Sequence, residues 1–439
     1  MKQPPLVTGH ISEIDQMKIT FIYPKFERFL ESRIELGSLS YMKHLGNFKM
    51  PPSLGIPILS ALSKDKHEVK LYDENIVDID YDDDADLFAV SFFTPQANFA
   101  YRIAEKFKNK GKTIIAGGMH PSIMPEEASQ YFDSVCIGEA ENVWHEILHD
   151  FEQNKLKKIY HGGYPEMNQV PLPDLDLFHS KNNYDWGAKL IQTMRGCCYK
   201  CETCIIPAEF GRKFRFKTMQ QILAELNPAQ IKGDYYLIDD TLVLPHKACF
   251  QFREELLKTF SRLSPKPRLF MSGSLNMSTE PDYLKSLADG GVVNLYLVTG
   301  CDPFSITAFQ KGQKRYFDWG IDIVNSIQDA GIKVFISVGY GFDYQDNSVF
   351  DISLEFIRKA KINTSEFYIV TPYPQTPIWH QLKKENRILH YDWTKYNTAN
   401  VVFTPKNFTE KELLDGYINS WKESYCNDSS DKSLQIFEA

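Results

Sequence analysis

Three cysteines near the middle of the chain have the residue types and the spacing of a metal site. They are Cys197, Cys201 and Cys204, in the pattern Cys-x3-Cys-x2-Cys. Three thiolates on one loop can bind three irons of a [4Fe–4S] cluster, because cysteine thiolate is the usual ligand of such clusters. The fourth iron would then lack a protein ligand, and an open metal position is a place where substrate chemistry can occur. The spacing therefore predicts a [4Fe–4S] cluster with one open iron.

Other uses of clustered cysteines fit the sequence less well. Structural zinc usually takes four ligands, often as two Cys-x2-Cys pairs, and no second pair is present. A disulfide framework is not expected in a chain of this length without a signal peptide. We interpret Cys198 as a packing residue, because adjacency to Cys197 makes it a poor second ligand of the same cluster. The remaining cysteines are scattered singly, at Cys136, Cys249, Cys301 and Cys426.

The composition is that of an ordinary globular protein with two or three domains. The chain has 439 residues, of which 43% are hydrophobic and 24% are charged. Its net charge of −8 argues against a general nucleic-acid-binding protein. No apolar run is long enough to span a bilayer, and the N-terminus lacks an apolar signal segment. We expect a soluble cytoplasmic enzyme, since a reducing compartment also suits an oxygen-sensitive cluster.

The N-terminal third alternates short apolar runs with segments of helical period. Strands are predicted at residues 19–23, 69–72, 87–92, 113–117 and 134–137. This alternation is typical of an α/β fold with a doubly wound, Rossmann-like parallel sheet, whose ligands bind beyond the carboxyl ends of the strands. The loops at 117–127 and 137–141 contain glycines there, which let the backbone approach a bulky ligand closely.

A second series of strands follows a connection that is rich in proline and glycine. The predicted strands are residues 190–193, 235–240, 268–272, 294–300, 333–340 and 367–372, with helices between them. Six such units form a partial parallel (β/α)6 barrel, in which polar residues at the carboxyl ends of strands are candidates for chemistry. Asp239 and Asp240 end the second strand, and they either bind a substrate, a hydroxyl or a proton, or they cap the strand.

The cysteine motif, followed by six strand–helix units, resembles the radical S-adenosylmethionine (SAM) enzymes. In that family the SAM amine and carboxylate chelate the open iron, and one electron from the cluster cleaves SAM, normally to methionine and a 5′-deoxyadenosyl radical. The loops at 117–127 and 137–141, with residues 50–55, are similar to the cobalamin-binding domain that precedes the barrel in many members. The resemblance covers about residues 18–425 and implies three cofactors: the [4Fe–4S] cluster, SAM and cobalamin.

The resemblance also implies how the chain is divided. Residues 1–160 would form the cobalamin-binding-like domain, 161–187 the linker, 188–386 the radical SAM barrel and 387–439 a small helical C-terminal cap. The stretch 371–377 resembles the family's Thr-Pro-x-Pro-Gly-Thr-Pro segment, with Gln375 in place of the glycine.

Candidate cofactor-binding residues lie in these loops, in the loop at 92–96, in the cysteine loop and at the ends of barrel strands. On the cobalamin side they are Phe93, Thr94, Gln96, Gly117, Gly118, His120, Gly138 and Glu139. We expect His120 to have a loop or pocket role rather than to ligate cobalt. On the SAM side they are Thr203, Ser272, Ser274, Asn276 and Asp302. The candidate catalytic residues are Asp239, Asp240 and Cys301, the last as a hydrogen donor, although a buried spectator is the alternative for Cys301.

Several positions depart from the family's pattern. Cys198 stands where proline is common, and Thr203 stands where an aromatic residue commonly packs near the adenine. Residues 299–302 replace a Gly-Ile-Glu-Ser-like segment, so either Asp302 substitutes for the SAM-contacting glutamate or SAM is held in a modified way. His67 lies in an Asp-x-His pattern that lacks the glycine of the cobalt-ligating motif. Cobalt would then have water or no lower ligand, and some such domains have lost cobalamin altogether.

The resemblance implies methyl transfer from cobalamin to an unactivated carbon or phosphorus of a small metabolite. One SAM would remethylate cobalt, and another would form the radical that removes a substrate hydrogen. An external electron donor such as flavodoxin or ferredoxin is implied, and no nucleic-acid partner or membrane insertion is expected. One alternative is a non-methylating reaction, such as ring formation, rearrangement or transfer of another SAM fragment, with or without cobalamin. Another is a cluster-bearing redox or regulatory protein without catalysis.

Overall fold

The computed structural model describes residues 16–37, 39, 52–178, 188–227, 231, 233–240, 242–243, 246–299 and 314–425. Two parallel sheets of six strands each organise this part of the chain. The expected doubly wound sheet, partial barrel and helical C-terminal segment are confirmed.

The first sheet forms from the apolar runs of the N-terminal third. Its strands are β1 (Lys18–Tyr23), β2 (Glu68–Asp73), β3 (Leu87–Ser91), β4 (Thr113–Gly117), β5 (Ser134–Gly138) and β6 (Ile159–Gly163). They lie in the order β2-β1-β3-β4-β5-β6, and all pairs are parallel. Four consecutive residues of β3 are buried, as expected for a central strand covered by helices on both faces. The order reverses at β1 and β3, where sheets of this kind bind their ligands.

The sixth strand of this sheet was not predicted, and it extends past the predicted domain boundary at residue 160. The exposed and buried residues of β6 alternate, because β6 is an edge strand. Such a strand lacks the continuous apolar run that marks the central strands. The domain bounds given above stay a prediction.

Short helices connect the strands of the first sheet. Those described are α1 (Phe29–Ser32), α2 (Gly55–Ala61), α3 (Ala97–Lys108), α4 (Met119–Ile123), α5 (Pro125–Tyr131) and α6 (Trp144–Glu152). Because α4 begins directly after β4, the glycines of this turn lie at the carboxyl edge of the sheet.

The second sheet is an open barrel of parallel strands. Its strands are β7 (Ala188–Ile191), β10 (Asp234–Leu237), β11 (Arg268–Gly273), β12 (Val292–Thr299), β13 (Lys333–Tyr340) and β14 (Thr364–Ile369), paired in that order. The short antiparallel strands β8 (Met194–Arg195) and β9 (Arg215–Phe216) flank the cysteine loop. The outer face of the barrel packs against helices through residues such as Leu269, Leu295 and Ile336.

The helices of this half range from four to sixteen residues. They are α7 (Ile206–Glu209), α8 (Met219–Leu226), α9 (Lys247–Phe260), α10 (Pro281–Asp289), α11 (Lys314–Asp329), α12 (Ser348–Lys359), α13 (Pro377–Lys384) and α14 (Glu410–Tyr425). In the described part of the chain, no helix combines the length and the apolar character that crossing a bilayer requires.

The C-terminal segment contacts the N-terminal part of the chain. Arg33 donates from Nε to the Ala399 carbonyl at 2.6 Å and from Nη2 to Asn400 Oδ1 at 2.6 Å. The rings of Phe29 and Trp421 lie 5.3 Å apart. These contacts join the region after β1 to the segment before α14 and to α14 itself, which packs on β14.

Candidate functional site

A cavity of about 510 Å³ lies between the carboxyl ends of the two sheets. One wall comes from the ends of β1, β3, β4 and β5. The other wall comes from the barrel and includes Gln192, Arg195, Phe210, Ile238, Asp240 and Tyr373. This volume is in the range of protein sites for organic ligands.

Glycines shape the first wall. Gly118 has a φ of 91°, and a Cβ atom there would lie 2.9 Å from both the backbone nitrogen and the backbone oxygen of Phe92. Gly162 shows the same restriction, since its Cβ would lie 1.8 Å from the Glu139 carbonyl oxygen. The loops after β4 and β5 can therefore pack this closely only with glycine, and this packing leaves the cavity beside them open.

The predicted cobalamin-side residues fall into two groups. Those that line the cavity are Phe93, Thr94, Gly117, Gly118, Gly138 and Glu139. Gln96 and His120 do not line it. Gln96 is fully buried and donates to the Pro24 carbonyl, and its Oε1 accepts from the Phe93 amide at 3.1 Å.

His120 connects the turn after β4 to the loop after β3 and to α3. Its ring is completely buried, with Nδ1 3.1 Å from Thr94 Oγ1 and Nε2 3.1 Å from the Tyr101 hydroxyl. Burial lowers its pKa. Both side chains point into the protein and support the loops beside the cavity, and their assignment to the cofactor site stays a prediction. No histidine is found among the described residues that line the cavity.

The cysteine loop is tied to the barrel at several points. The Gly196 amide donates to Asp240 Oδ2 at 2.8 Å, and the Cys197 amide donates to the Gly211 carbonyl at 3.3 Å. Further along the loop, the Ile378 amide donates to the Glu202 carbonyl at 3.0 Å. These bonds place the start of the loop beside the cavity and its middle beside α13.

The three thiols of the motif are not in disulfides and share one environment. Cys197 is buried, while Cys201 and Cys204 are half-buried. Burial raises the pKa of Cys204 to about 12, and the charges of Cys201 and Cys197 raise it further. Across the described residues, no three His, Cys, Asp or Glu side chains already surround one metal-sized point. The donor set itself fits iron, because three thiolates on one short loop are typical cluster ligands and iron displaces their protons.

The two aspartates after β10 have different surroundings. Asp239 is buried, and its Oδ1 accepts from the amides of Thr193 and Met194 at 2.6 and 2.9 Å. Its Oδ2 accepts from the Thr193 hydroxyl. These bonds join the end of β10 to the backbone before the cysteine loop, which is the arrangement that the strand-end cap alternative predicts.

Asp240, in contrast, lines the cavity. Burial raises the pKa of Asp240 to about 6 and that of Asp239 to about 7. Of the two, Asp240 is the carboxylate that a ligand in the cavity can reach.

Three SAM-side candidates, Ser272, Ser274 and Asn276, lie at or just after the end of β11, and Thr203 lies in the cysteine loop; none of the four lines the cavity. Asn276 donates from Nδ2 to the hydroxyl of Tyr199 in the cysteine loop at 2.7 Å, while its buried Oδ1 has no partner among the described residues. This open acceptor beside the loop fits a ligand with a donor group, such as an amine. Ser272 lies 3.4 Å from the Tyr236 hydroxyl, Ser274 Oγ accepts from the Asn276 amide at 3.5 Å, and Thr203 is half-buried. Cys301 and Asp302 lie outside the described residues.

A buried cluster of ion pairs connects the two walls, and of its four members only Glu139 was predicted as a site residue. Arg195 and Arg215 both contact the Glu139 carboxylate, and Arg195 also donates to Glu141 Oε1 at 2.7 Å. All four side chains are less than a tenth exposed. The sequence signal that could have indicated Arg195 as a site residue is its position directly before Gly196 and Cys197 of the cysteine motif.

Tyr373 is another cavity residue that was not singled out. It lies in the stretch 371–377 that follows β14, and it lines the cavity from the barrel side. Its pKa is raised to about 12 by burial. The resemblance of 371–377 to a family segment was the available signal for it.

Comparison with known proteins gives a family model for part of the first half and relatives that match most of the chain. A family model for the B12 binding domain matches residues 50–148. The chain is 28% identical to the bacteriochlorophyllide d C-8(2)-methyltransferase of Chlorobaculum tepidum over 84% of this chain and 86% of that protein. It is 26% identical to the C-12(1)-methyltransferase of the same organism, over 90% of this chain and 87% of that protein.

A solved structure shares the fold. It is that of the radical SAM methyltransferase TsrM from Kitasatospora setae with cobalamin and a [4Fe–4S] cluster bound, with a TM-score of 0.62 and 14% identity. The match covers 84% of this chain and 78% of that one.

Proposed function

We propose that this chain, which belongs to the radical SAM enzymes with a cobalamin-binding domain, transfers a methyl group to an unactivated carbon or phosphorus of a small metabolite. The observation that carries the proposal is the shared cavity. Its first wall, at Gly118 and Gly138, belongs to the matched cobalamin-binding domain, and its second wall, at Arg195 and Asp240, adjoins the cysteine loop. A methyl donor on the first wall would face a substrate held at the barrel opening.

The residues present fit the three implied cofactors. We assign the [4Fe–4S] cluster to Cys197, Cys201 and Cys204, SAM to the barrel rim near Asn276, and cobalamin to the glycine-rich wall. When bound, the cluster and SAM would supply a radical that removes a hydrogen from the substrate, and cobalamin would supply the methyl group.

The protein itself would orient these groups and keep water away from them. Asp240 fixes the first turn of the cysteine loop through the Gly196 amide, and the ion pairs of Arg195 hold this turn against the loop after β5. Apolar side chains such as Phe21, Ile115 and Trp144 line the first wall and exclude water. The described lining contains no histidine that would coordinate cobalt, so the glycine-rich wall would hold cobalamin through its backbone and apolar side chains.

The names of the relatives support methyl transfer, as both Chlorobaculum tepidum proteins are named methyltransferases. Their substrates are not carried over to this chain. We further propose that an external one-electron donor, such as flavodoxin or ferredoxin, reduces the cluster, and that the protein works in the cytoplasm, where such donors and a reducing environment are found.

The test is a metal analysis and an ultraviolet–visible spectrum of protein purified without oxygen and supplied with iron, sulfide and hydroxocobalamin. We expect about four irons per chain and about one cobalt per chain. The reduced protein should then consume SAM and move a 13C-labelled methyl group from SAM into a product. Four irons without cobalt would overturn the methylation proposal and favour a non-methylating SAM reaction. Protein that never cleaves SAM would overturn the radical SAM assignment.

A further inference from the structure

The inner face of the barrel carries a polar and aromatic set of side chains that the function proposed above does not use. Side chains alternate along each strand, so the residues between the outward-facing leucines point inward. Tyr236 on β10, Tyr296 on β12 and Glu366 on β14 follow this alternation, and all three are half-buried. They lie inside the barrel whose rim forms part of the cavity.

Glu366 is the centre of this set. Its Oε1 accepts a hydrogen bond from the Tyr296 hydroxyl and another from Ser337 Oγ, the latter at 2.8 Å. Ser337 pairs directly with Glu366 in the register of β13 and β14. Both donors therefore reach the same carboxylate oxygen from neighbouring strands, and they hold the side chain in one orientation.

The second oxygen of this carboxylate is open. Among the described residues nothing donates to Glu366 Oε2, and no cationic side chain contributes to the pKa of Glu366, which burial raises. A half-buried carboxylate oxygen that no described protein group occupies can accept a hydrogen bond from a ligand. A positively charged donor makes the strongest bond of this kind.

Aromatic rings complete the surroundings. The ring of Tyr296 lies 5.0 Å from that of Phe335 and 6.2 Å from that of Phe270, and Phe270 lies 4.7 Å from Tyr236. Aromatic faces attract cations, and a carboxylate next to such faces is a typical environment for an ammonium group.

We propose that Glu366, held by Tyr296 and Ser337 inside the barrel, binds a protonated amine of the substrate, whose apolar part lies against the neighbouring aromatic rings. This inference rests on the proposed function, since it names the class of substrate for the same site. Glu366 is a specificity-determining residue in this scheme. An amine held at Glu366 leaves the rest of the molecule directed toward the barrel opening and the cavity.

The test is a binding experiment with 2-phenylethylamine and 2-phenylethanol, which have the same size and differ in the charged donor. The protein carries its cluster and cobalamin but receives no reductant, so that no turnover occurs and failure of methyl transfer does not affect the result. Isothermal titration is expected to show the amine binding about tenfold more tightly than the alcohol. Glu366→Gln should abolish this preference.

Two further variants keep the result interpretable. Glu355→Gln removes a carboxylate on the exposed surface of α12, where it pairs with Lys359, and it should keep the preference for the amine. Glu366→Asp takes the place of Glu366→Gln if the latter does not fold. It withdraws the carboxylate by one methylene and should weaken amine binding. Equal binding of both probes to the unaltered protein would overturn the proposal, and so would an amine preference that survives in Glu366→Gln.

Discussion

Both carboxylate oxygens of Glu139 accept hydrogen bonds from the guanidinium of Arg215, and Nη1 lies 3.0 Å from Oε2. The two side chains are 3% and 2% exposed. Glu139 follows β5 of the first sheet, and Arg215 lies in β9 beside the cysteine loop. A two-bond contact between planar groups fixes both distance and angle, so it holds the two walls of the cavity in one arrangement.

Replacing Glu139 with glutamine should therefore destabilise the protein and empty the cobalamin site. The change leaves Arg215 buried without its anion, and breaking a buried ion pair in this way costs about 3–5 kcal/mol of unfolding free energy. Chemical denaturation and the cobalt content after reconstitution measure the two effects. Glu166→Gln is the matched control, because Glu166 pairs with Lys213 on the exposed surface nearby, and it should change neither quantity. Equal behaviour of the two variants would show that the buried pair has no special role.

The cysteine motif gives a prediction with an internal control. Replacing Cys197, Cys201 or Cys204 with alanine should reduce the iron content to near zero, because a cluster with only two protein ligands is not retained. Cys198→Ala should keep the iron, since we interpret Cys198 as a packing residue. Iron analysis and the visible absorption of the cluster report the outcome. Loss of iron in Cys198→Ala would mean that this thiol takes part in cluster binding.

The turn after β4 can be tested with a pair of glycines. Gly118→Ala should abolish cobalamin binding, because the new Cβ would lie 2.9 Å from the backbone of Phe92 and would displace the loop. Gly111→Ala is the control, since Gly111 also has a positive φ, 71°, but its Cβ would meet nothing within 4 Å. Both variants carry a backbone cost of about 1–2 kcal/mol. Only the first should lose cobalt uptake, and unchanged uptake in Gly118→Ala would remove this turn from the site.

The raised pKa of Asp239 predicts that the stability of the folded protein depends on pH. Burial raises its pKa to about 7 in the folded protein. The folded state then binds a proton that the unfolded state releases, so this contribution is present at low pH and is lost as the pH rises through about 7, with a slope of up to about 1.4 kcal/mol per pH unit. Asp239→Asn keeps an acceptor for the Thr193 and Met194 amides but does not titrate. Thermal midpoints measured from pH 5 to pH 8 should fall less steeply for the variant, and identical slopes would contradict the assignment.

Much of the fold follows from the sequence because central parallel strands are buried on both faces. The runs 87–92 and 333–340 are apolar for this reason, and both were predicted. The edge strand β6 was missed, since three of its five residues are exposed. The cysteine ligands could be predicted because all three lie within eight residues and their spacing reports their chemistry directly.

The remaining parts of the site depend on contacts between distant residues. Arg215 meets Glu139 across 76 positions, and Tyr296 meets Glu366 across 70. No local pattern reports such pairs. The two neighbouring aspartates likewise could not be told apart, because their roles depend on which of them turns toward the Thr193 backbone and which toward the cavity.

The contacts of Arg33 and Phe29 with the C-terminal segment have a mechanical consequence. They attach the segment after β1 to segments that follow β14, far along the chain from the predicted linker at 161–187. This second attachment opposes a hinge-like separation of the two sheets, so we expect ligands to enter the cavity without such a separation. The same double attachment couples the two halves during denaturation, and the chain should lose its structure in one cooperative transition.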